Sequence, residues 1–233
     1  FSIVIDTFSN LFLLVEITFY VNILVIVAHP DDEVLGMGGT IKKLSKKHTV
    51  SLCVVSEGAS AQYKEQKMIQ VRHNDCIKCG KLLGITNFEF LDYPDMQLDT
   101  ISQLKINIDI EKILKKYKPD IVYTTPYHDL NKDHQCVFES TLVATRSTFI
   151  KIKKLLCFEL PGNVRTPFTP NLYENISSEI KIKIKSFQQY TSEVEKFPHP
   201  RSIEAIESLS LVRGTESGFK YAEAFTLIKE FVE

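Results

Sequence analysis

Asn22-Ile-Leu-Val-Ile-Val-Ala-His29-Pro30-Asp31-Asp32-Glu33 is the stretch that decides the fold. Its first part, Ile23 to Ala28, is an unbroken apolar run, the pattern of a strand covered on both faces in a parallel sheet. Polar residues then follow at once, and Leu35 to Leu44 indicates a glycine-containing loop that opens into a helix. Ligands of open α/β sheets bind beyond the carboxyl ends of the strands. His29 and Asp32 are therefore candidates for a functional site, although acids at this position could also simply cap the helix.

Bulk composition is compatible with one α/β domain. The chain has 233 residues, of which 44% are hydrophobic, enough for one sizeable core. Its 28 basic and 29 acidic residues nearly balance, so no global field attracts nucleic acid or an anionic membrane. The five cysteines are odd in number and lie mostly in apolar patterns, which is typical of reduced thiols in a cytoplasmic protein.

The first 20 residues do not fit the pattern of the rest. Leu11 to Tyr20 is apolar but contains Glu16, and it lacks the basic start and the cleavage site of a signal peptide. Joined to Val21 to Ala28 it approaches the length of a membrane span, but that would place the first core strand in the bilayer. We predict that residues 1–20 are an extra segment outside the core and that residues 21–233 form the domain.

Strands and helices alternate along the remainder of the chain, which predicts a Rossmann-like, doubly wound, mostly parallel sheet with helices on both faces. Ile180, Ile182 and Ile184 alternate with lysines as in a strand, but Ile176, Ile180, Ile184 and Phe187 also fit one helical face. Periodicity leaves both open, and we favour a helix because the family resemblance described below implies one. The predicted strands are 49–55, 88–91, 120–124 and 154–160, and the predicted helices are 40–46, 65–83, 101–117 and 135–150.

A second group of polar residues follows the strand at 120–124. It reads Thr125-Pro-Tyr-His128-Asp129-Leu130-Asn131-Lys132-Asp133-His134. Because the carboxyl ends of parallel strands share one edge of the sheet, a histidine here can reach His29 and Asp32 across the crevice. The sequence therefore predicts a site assembled from two distant turns.

Together, Ala28-His-Pro-Asp-Asp-Glu33 and the later Asp133-His134 pair resemble the signature of the LmbE-like/PIG-L family of zinc-dependent N-acetylglucosaminyl deacetylases. The resemblance extends from about residue 21 to 230 and includes Phe197-Pro-His199-Pro-Arg201-Ser202 near the end. It implies a hydrolase that removes an N-acetyl group from a glucosamine conjugate, with attack by a zinc-bound water. It also implies metal ligation by His29, Asp32 and His134, three ligands that suit catalytic zinc; another divalent ion such as Fe²⁺ is compatible with these ligand types.

Roles for the neighbouring acids follow from the same resemblance. Asp31 would be the general base, since its side chain points away from that of Asp32. Independently of the resemblance, Asp133 next to His134 is a natural group to orient a histidine through its other ring nitrogen. Arg72 corresponds to a family arginine near the substrate, although a helix-surface role is also open, and Arg201 is predicted to bind substrate as well.

One position departs from the family. Many members have a histidine three residues before the second metal histidine, and this chain has Asn131, which can donate a hydrogen bond but not a proton. Either Asp31 returns the proton that it accepted, or another histidine substitutes. We place His199 first and His128, a predicted substrate-binding residue, second.

Two alternatives to this function stay open at the level of sequence. The chain could be a related metal-dependent amidase acting on a non-sugar substrate, or a sugar-binding protein that kept the fold without turnover. In each case we expect a small-molecule partner, no nucleic acid, no stable membrane insertion and possible homo-oligomers.

Overall fold

A seven-stranded sheet forms the centre of the computed structural model, which describes residues 20–146, 150–162 and 165–232. The strand order is β3-β2-β1-β4-β5-β7-β6. Strands β1 to β5 run parallel to one another, whereas β7 runs antiparallel to both β5 and β6. The strands are β1 (Asn22–Val27), β2 (Thr49–Ser56), β3 (Asn87–Tyr93), β4 (Ile121–Thr124), β5 (Lys154–Phe158), β6 (Leu172–Asn175) and β7 (Ala222–Glu230).

Helices cover both faces of this sheet, as the alternation of elements predicts. They are α1 (Asp32–Leu44), α2 (Lys67–Leu83), α3 (Gln103–Tyr117), α4 (Lys132–Ala144), α5 (Ile180–Phe187) and α6 (Ile203–Ser217), with a short 3₁₀ helix at Leu98–Thr100. The expected doubly wound α/β fold is confirmed. The prediction for residues 1–20 falls almost entirely on residues 1–19, which lie outside the described part of the chain.

The alternating side chains of β1 divide the core into two. Val25 and Val27 pack with α1, α2, α5 and α6 on one face, while Leu24 and Ile26 pack with α3 and α4 on the other. All of these side chains are fully buried. A strand that is covered on both faces has to be apolar at every position, which is why this stretch decides the fold.

Some predicted boundaries were wrong. Leu35 to Thr40 is not a loop, because α1 begins already at Asp32. The glycines serve close packing: a Cβ at Gly36 would lie 2.2 Å from the ring of Phe158. The fourth predicted helix is α4 at Lys132–Ala144, and β6 at Leu172–Asn175 lies where no strand was predicted.

A buried ion pair inserts into α1 where the helix is kinked at Met37. The Leu35 carbonyl and the Gly39 N–H would normally bond to each other. Instead, the Lys183 Nζ donates to the Leu35 oxygen (2.9 Å), and the Gly39 N–H donates to the Glu223 carboxylate (2.9 Å). The two charged groups lie 2.7 Å apart. They account for the kink and fix α1, which carries the first acidic residues of the site, against α5 and β7. No helix within the described ranges has the length and apolar character needed to span a bilayer.

Candidate metal centre and cavity

The carboxyl ends of the parallel strands bring the predicted site residues together. His29 follows β1, and Asp32 is the first residue of α1. His134 lies in the first turn of α4, after β4. All three side chains are buried. Two turns that are distant in sequence therefore meet at one edge of the sheet, as the position of both turns after neighbouring strands predicts.

The three side chains form a compact triangle through four potential ligand atoms. The His29 Nδ1 and His134 Nε2 atoms are 3.2 Å apart. Asp32 completes the triangle, with Oδ1 at 3.3 Å from the His134 Nε2 and Oδ2 at 3.6 Å from the His29 Nδ1. Ligands at about 2.0–2.2 Å from a tetrahedral zinc ion lie about 3.3–3.6 Å from one another. The three residues therefore fit a divalent metal ion without rearrangement.

Carboxylates contact the ring nitrogens that face away from this triangle. Asp129 Oδ2 lies 2.9 Å from the His134 Nδ1. Asp133 Oδ2 lies 3.2 Å and Asp95 Oδ1 3.3 Å from the His29 Nε2. Asp133, which we expected to orient a histidine, contacts His29, whereas Asp129 contacts His134. Such contacts fix the tautomer and orientation of metal-binding histidines.

Asp133 also holds the turn that follows β3. Its carboxylate accepts the backbone N–H groups of Met96 (2.8 Å) and Leu98 (3.0 Å). The turn after β3 is thereby tied to the start of α4, and this turn carries Asp95. The contact of Asp95 with His29 thus depends in part on Asp133.

Charge balance in the metal-free protein favours protonated histidines. Burial opposes the charge of His29, but the contacts with Asp133, Asp32 and Asp95 together outweigh it and raise the pKa of His29 to about 10. Burial also opposes the charge of His134, yet Asp32 and Asp129 raise its pKa to about 9. The pKa of Asp32 lies well below its usual value, because the two histidines outweigh the effect of burial. Positive charge in this pocket is strongly stabilised.

Asp31 differs from the other acids in having no hydrogen bond to its carboxylate oxygens, although it is fully buried. Its backbone has a φ of 128°, a conformation that costs about 1–3 kcal/mol for a residue with a side chain. Two contacts hold this turn: the Asp31 N–H donates to Glu33 Oε2 (3.1 Å), and Arg72 Nη2 donates to the Pro30 carbonyl (2.5 Å). The strained backbone directs the carboxylate away from Asp32.

Glu33 connects this turn to the core. Tyr190 donates its hydroxyl hydrogen to Glu33 Oε1 (2.5 Å), and the Cys79 thiol lies 3.5 Å from the same oxygen. Burial raises the pKa of Glu33 to about 7. Cys76 and Cys79 are both buried on α2, so the thiols are part of the packing behind the site.

Two arginines flank the Asp31 carboxylate. Arg72 Nη2 lies 3.6 Å and Arg201 Nη2 3.4 Å from Asp31 Oδ2. Glu193 joins the two arginines, with Oε1 at 2.6 Å from Arg72 Nη1 and Oε2 in contact with Arg201 Nη1. The negative charges of Asp31 and Glu193 balance the positive charges of the two arginines. None of these four residues belongs to the three proposed metal ligands.

A cavity of about 60 Å³ opens beside the triangle. Its lining residues are His29, Gly58, Gln62, Arg72, Asp95, Met96, Asn131 and Arg201. Gly58 is required at its position, since it has a φ of 63° and a Cβ would lie 2.4 Å from Pro30. The volume suits a small group such as an acyl end, because pockets that enclose a drug-sized ligand measure about 300–1,000 Å³.

The two substitute histidines lie apart from the cavity lining. His199 is exposed, and its Nδ1 accepts the backbone N–H of Arg201 (3.1 Å). His128 is half-buried and packs against Tyr127. Of the six histidines, all of which fall in the described ranges, His29 alone lines the cavity. Asn131 lines it too, as the N-cap of α4.

Three acids in this region were missed from the sequence. Asp95 follows the carboxyl end of β3, so the rule that identified His29 and His134 could have found it. Asp129 belongs to the second polar group, but from the sequence we assigned the orientation of a histidine to Asp133 and gave Asp129 no role. Glu193 lies far along the chain in a loop, and no local pattern indicated that it would join Arg72 and Arg201.

The fold and the site together define a class: a Rossmann-like α/β protein with a His-Asp-His group that could hold a divalent metal at the carboxyl edge of its sheet. Comparison with known families identifies the class of protein more closely. Residues 24–145, more than half of the chain, match the PIG-L family, described as GlcNAc-PI de-N-acetylase. The chain belongs to this family, and the resemblance read from the motifs is confirmed.

Individual relatives agree with this assignment. The chain is 29% identical over 180 residues to the uncharacterized deacetylase YaiS of Escherichia coli (strain K12), covering 73% of this chain and 90% of the relative. It is 21% identical over 229 residues to the diacetylchitobiose deacetylase of Thermococcus kodakarensis, covering 88% of this chain and 82% of the relative. These relatives support a metal-dependent deacetylase, a hydrolase by class.

A solved structure shows that the same fold carries other chemistry. GalB, the 4-carboxy-2-hydroxymuconate hydratase from Pseudomonas putida KT2440, superposes with a TM-score of 0.75 at 19% identity, covering 91% of this chain and 98% of that chain. At this identity the likeness concerns the fold alone. The reaction therefore has to be argued from the site residues.

Proposed function

We propose that this protein hydrolyses the N-acetyl group of a glucosamine-containing conjugate and releases acetate and a free amine. In this proposal His29, Asp32 and His134 hold the divalent metal ion, with Zn²⁺ as the first candidate and Fe²⁺ as the second. The observation that carries it is the contact of His29, Asp32 and His134 with one another at 3.2, 3.3 and 3.6 Å, with the carboxylate of the adjacent Asp31 making no hydrogen bond in the described chain. When bound, the ion supplies Lewis acidity that lowers the pKa of water and polarises a carbonyl oxygen.

Asp31 acts as the base and then as the acid. The water oxygen bonds to the amide carbon while Asp31 accepts a proton from the water, and the electron pair of the C=O bond moves to the amide oxygen. When the C–N bond breaks, its electron pair stays on nitrogen, which receives the proton from Asp31. This route is supported by the position of Asp31, which is next to Asp32 in the chain and lies within 3.6 Å of two arginines that line the cavity.

The neighbouring residues keep these groups in position. Asp133 and Asp95 hold His29, and Asp129 holds His134. Arg72 donates from Nη2 to the Pro30 carbonyl, and its Nη1 lies 2.6 Å from Glu193, so we assign it to the support of the Asp31 turn. Substrate contacts of Arg72 and His128, and proton transfer by His199, stay predictions from the sequence.

The central test is acetate release by the full chain. Metal is removed with a chelator and restored with Zn²⁺ or Fe²⁺, and four substrate types are compared: GlcNAc, its phospholipid conjugates, its nucleotide diphosphates and its thiol-bearing glycosides. We expect metal-dependent release of acetate and amine in equal amounts from at least one, and loss of release in Asp31→Asn. No acetate from any of them would contradict the proposal.

The same assay separates the alternatives. A related amidase would release acid from N-acyl compounds without a sugar, while a sugar-binding protein would bind metal and GlcNAc compounds without turnover. Measuring both products also separates hydrolysis from water addition, which is the reaction named for GalB and releases no amine.

We also place the protein in the cytoplasm. The five cysteines are unpaired and four of them are buried, which suits a reducing compartment. Fractionation of the native cells with thiol labelling would test this, and recovery of the protein from an oxidising compartment would contradict it.

A further inference from the structure

We propose that Arg201 is a catalytic residue that stabilises the negative charge developing on the amide oxygen. This inference rests on the proposed hydrolysis of an N-acetyl group. Many family members have a histidine at position 131 that can stabilise negative charge. This chain has the uncharged Asn131 there, and we assign the stabilisation to Arg201 instead. It goes beyond substrate binding, because the interaction strengthens as the reaction proceeds.

The need for such a group follows from the cavity lining. Its two cationic side chains in the described chain, apart from His29, are Arg72 and Arg201. Asn131 is partly committed elsewhere, since its Oδ1 accepts the Asp133 N–H (2.8 Å) as the cap of α4 and its Nδ2 lies 3.4 Å from the Met96 sulfur. A neutral amide in this position is a weaker partner for an oxyanion than a cation is.

Both arginines have N–H groups without a hydrogen-bond partner in the described chain, Nε and Nη1 in the case of Arg72, but Arg201 is the more accessible of the two. Arg72 is 2% exposed, with Nη2 bonded to the Pro30 carbonyl and Nη1 next to Glu193. The side chain of Arg201 is 28% exposed. Its Nη1 bonds to Glu193, and its Nη2 lies 3.4 Å from Asp31 without a hydrogen bond to any residue in the described ranges. An N–H donor directed towards the cavity is therefore available to a ligand.

The charges around Arg201 make this donor effective during the reaction. Before the reaction, the charges of Arg72 and Arg201 are balanced by those of Asp31 and Glu193. When a proton moves from water to Asp31, one positive charge loses its partner at the moment when negative charge appears on the amide oxygen. Arg201, 3.4 Å from Asp31, can then interact with that oxygen as a donor that is already in place, which is what makes such interactions effective in catalysis.

The backbone of Arg201 is held by its own loop. Its N–H donates to the Nδ1 of His199 (3.1 Å), and its carbonyl accepts the Glu195 N–H (3.2 Å). His199, which we expected as a proton donor, is in this arrangement a positioning residue for Arg201. Ser202, the next residue, caps α6 through its hydroxyl oxygen. The guanidinium therefore extends from a fixed point.

The test compares Arg201→Met and Arg201→Lys with Lys196→Met, an exposed cation on the same loop that does not line the cavity. Measurements are kcat, KM, metal content, and the Kd of a glucosamine carrying a methylphosphonamide in place of acetamide, a mimic of the tetrahedral transition state. We expect Arg201→Met to lower kcat and analogue affinity by roughly 10²–10³, the usual effect of removing one oxyanion donor. KM and metal content should change little.

Arg201→Lys should retain most of the activity, and added ethylguanidinium should restore part of it to Arg201→Ala. Lys196→Met should match the wild type. A kcat unchanged in Arg201→Met, or a change in KM alone, would overturn the inference while leaving the proposed hydrolysis intact. If the wild type itself releases no acetate, the failure is that of the proposed function, and the analogue Kd still reports on Arg201.

Discussion

The Nδ1 of His29 and the Nε2 of His134 lie 3.2 Å apart, although 105 positions separate the two residues in sequence. Two imidazoles this close cannot both carry a proton on the facing nitrogens without repulsion. A shared divalent ion removes the conflict, because it takes the place of both protons. The short distance between the two nitrogens therefore leads to predictions for metal content and for the pH dependence of metal binding.

Substitution of His134 should separate metal binding from the remaining chemistry. We expect His134→Asn to lose stoichiometric zinc, because two ligands remain where three are needed. Asp31→Asn is the matched control, since Asp31 lies beside Asp32 but outside the triangle. Elemental analysis after dialysis should find about one zinc per chain in Asp31→Asn. Full metal content in His134→Asn would show that the ion binds elsewhere.

Metal affinity should rise with pH. The pKa values of His29 and His134 are raised to about 10 and about 9, so below pH 9 the metal-free pair holds at least one proton that the ion must displace. Each displaced proton changes the apparent affinity about tenfold per pH unit. Between pH 6 and 8 we expect an increase of at least about a hundredfold. Calorimetry in buffers of different ionisation enthalpy should detect proton release on binding, and a flat affinity would contradict the protonated metal-free state.

Asp129 should matter for metal affinity without being a ligand. Asp129→Asn weakens the contact at 2.9 Å that orients His134, and loss of such outer contacts typically lowers affinity about 10–100-fold. Asp99→Asn, an exposed acid in the nearby 3₁₀ helix, serves as control. Zinc competition with a chromophoric chelator measures both. Equal affinities in the two variants would remove Asp129 from the site.

The ion pair inside α1 should be important for stability. Lys183→Met leaves Glu223 buried with its cation missing and the Leu35 carbonyl without its donor. Removing one partner of a buried pair typically costs about 3–5 kcal/mol. Lys181→Met, exposed on the same helix, should change the free energy of unfolding by less than about 0.5 kcal/mol. Urea denaturation measures both, and similar values for the two would contradict this role.

Some features of the site could be predicted from the sequence because they depend on short segments. The run before His29 predicts a buried strand, and His29, Asp32 and His134 follow strand ends. Other features could not be predicted. Asp133 and Asp129 are four positions apart in one turn, and which of them contacts which histidine depends on side-chain directions that the sequence pattern leaves undefined. Likewise, the glycines of α1 suggest a loop when only the sequence is considered. In the structure, Gly36 is part of a helix and leaves room for the ring of Phe158.

By itself, the sequence determined the doubly wound sheet, the edge where the site lies and the three residues that could hold a metal, because burial periodicity and strand-end position are local properties of the chain. Only the tertiary structure decided the partners of these residues: Asp95 and Asp133 at His29, Asp129 at His134, and Arg201 with Glu193 beside Asp31. These contacts join segments that are far apart in the chain or depend on the direction of one side chain. They are therefore fixed by packing of the whole domain and not by any local pattern.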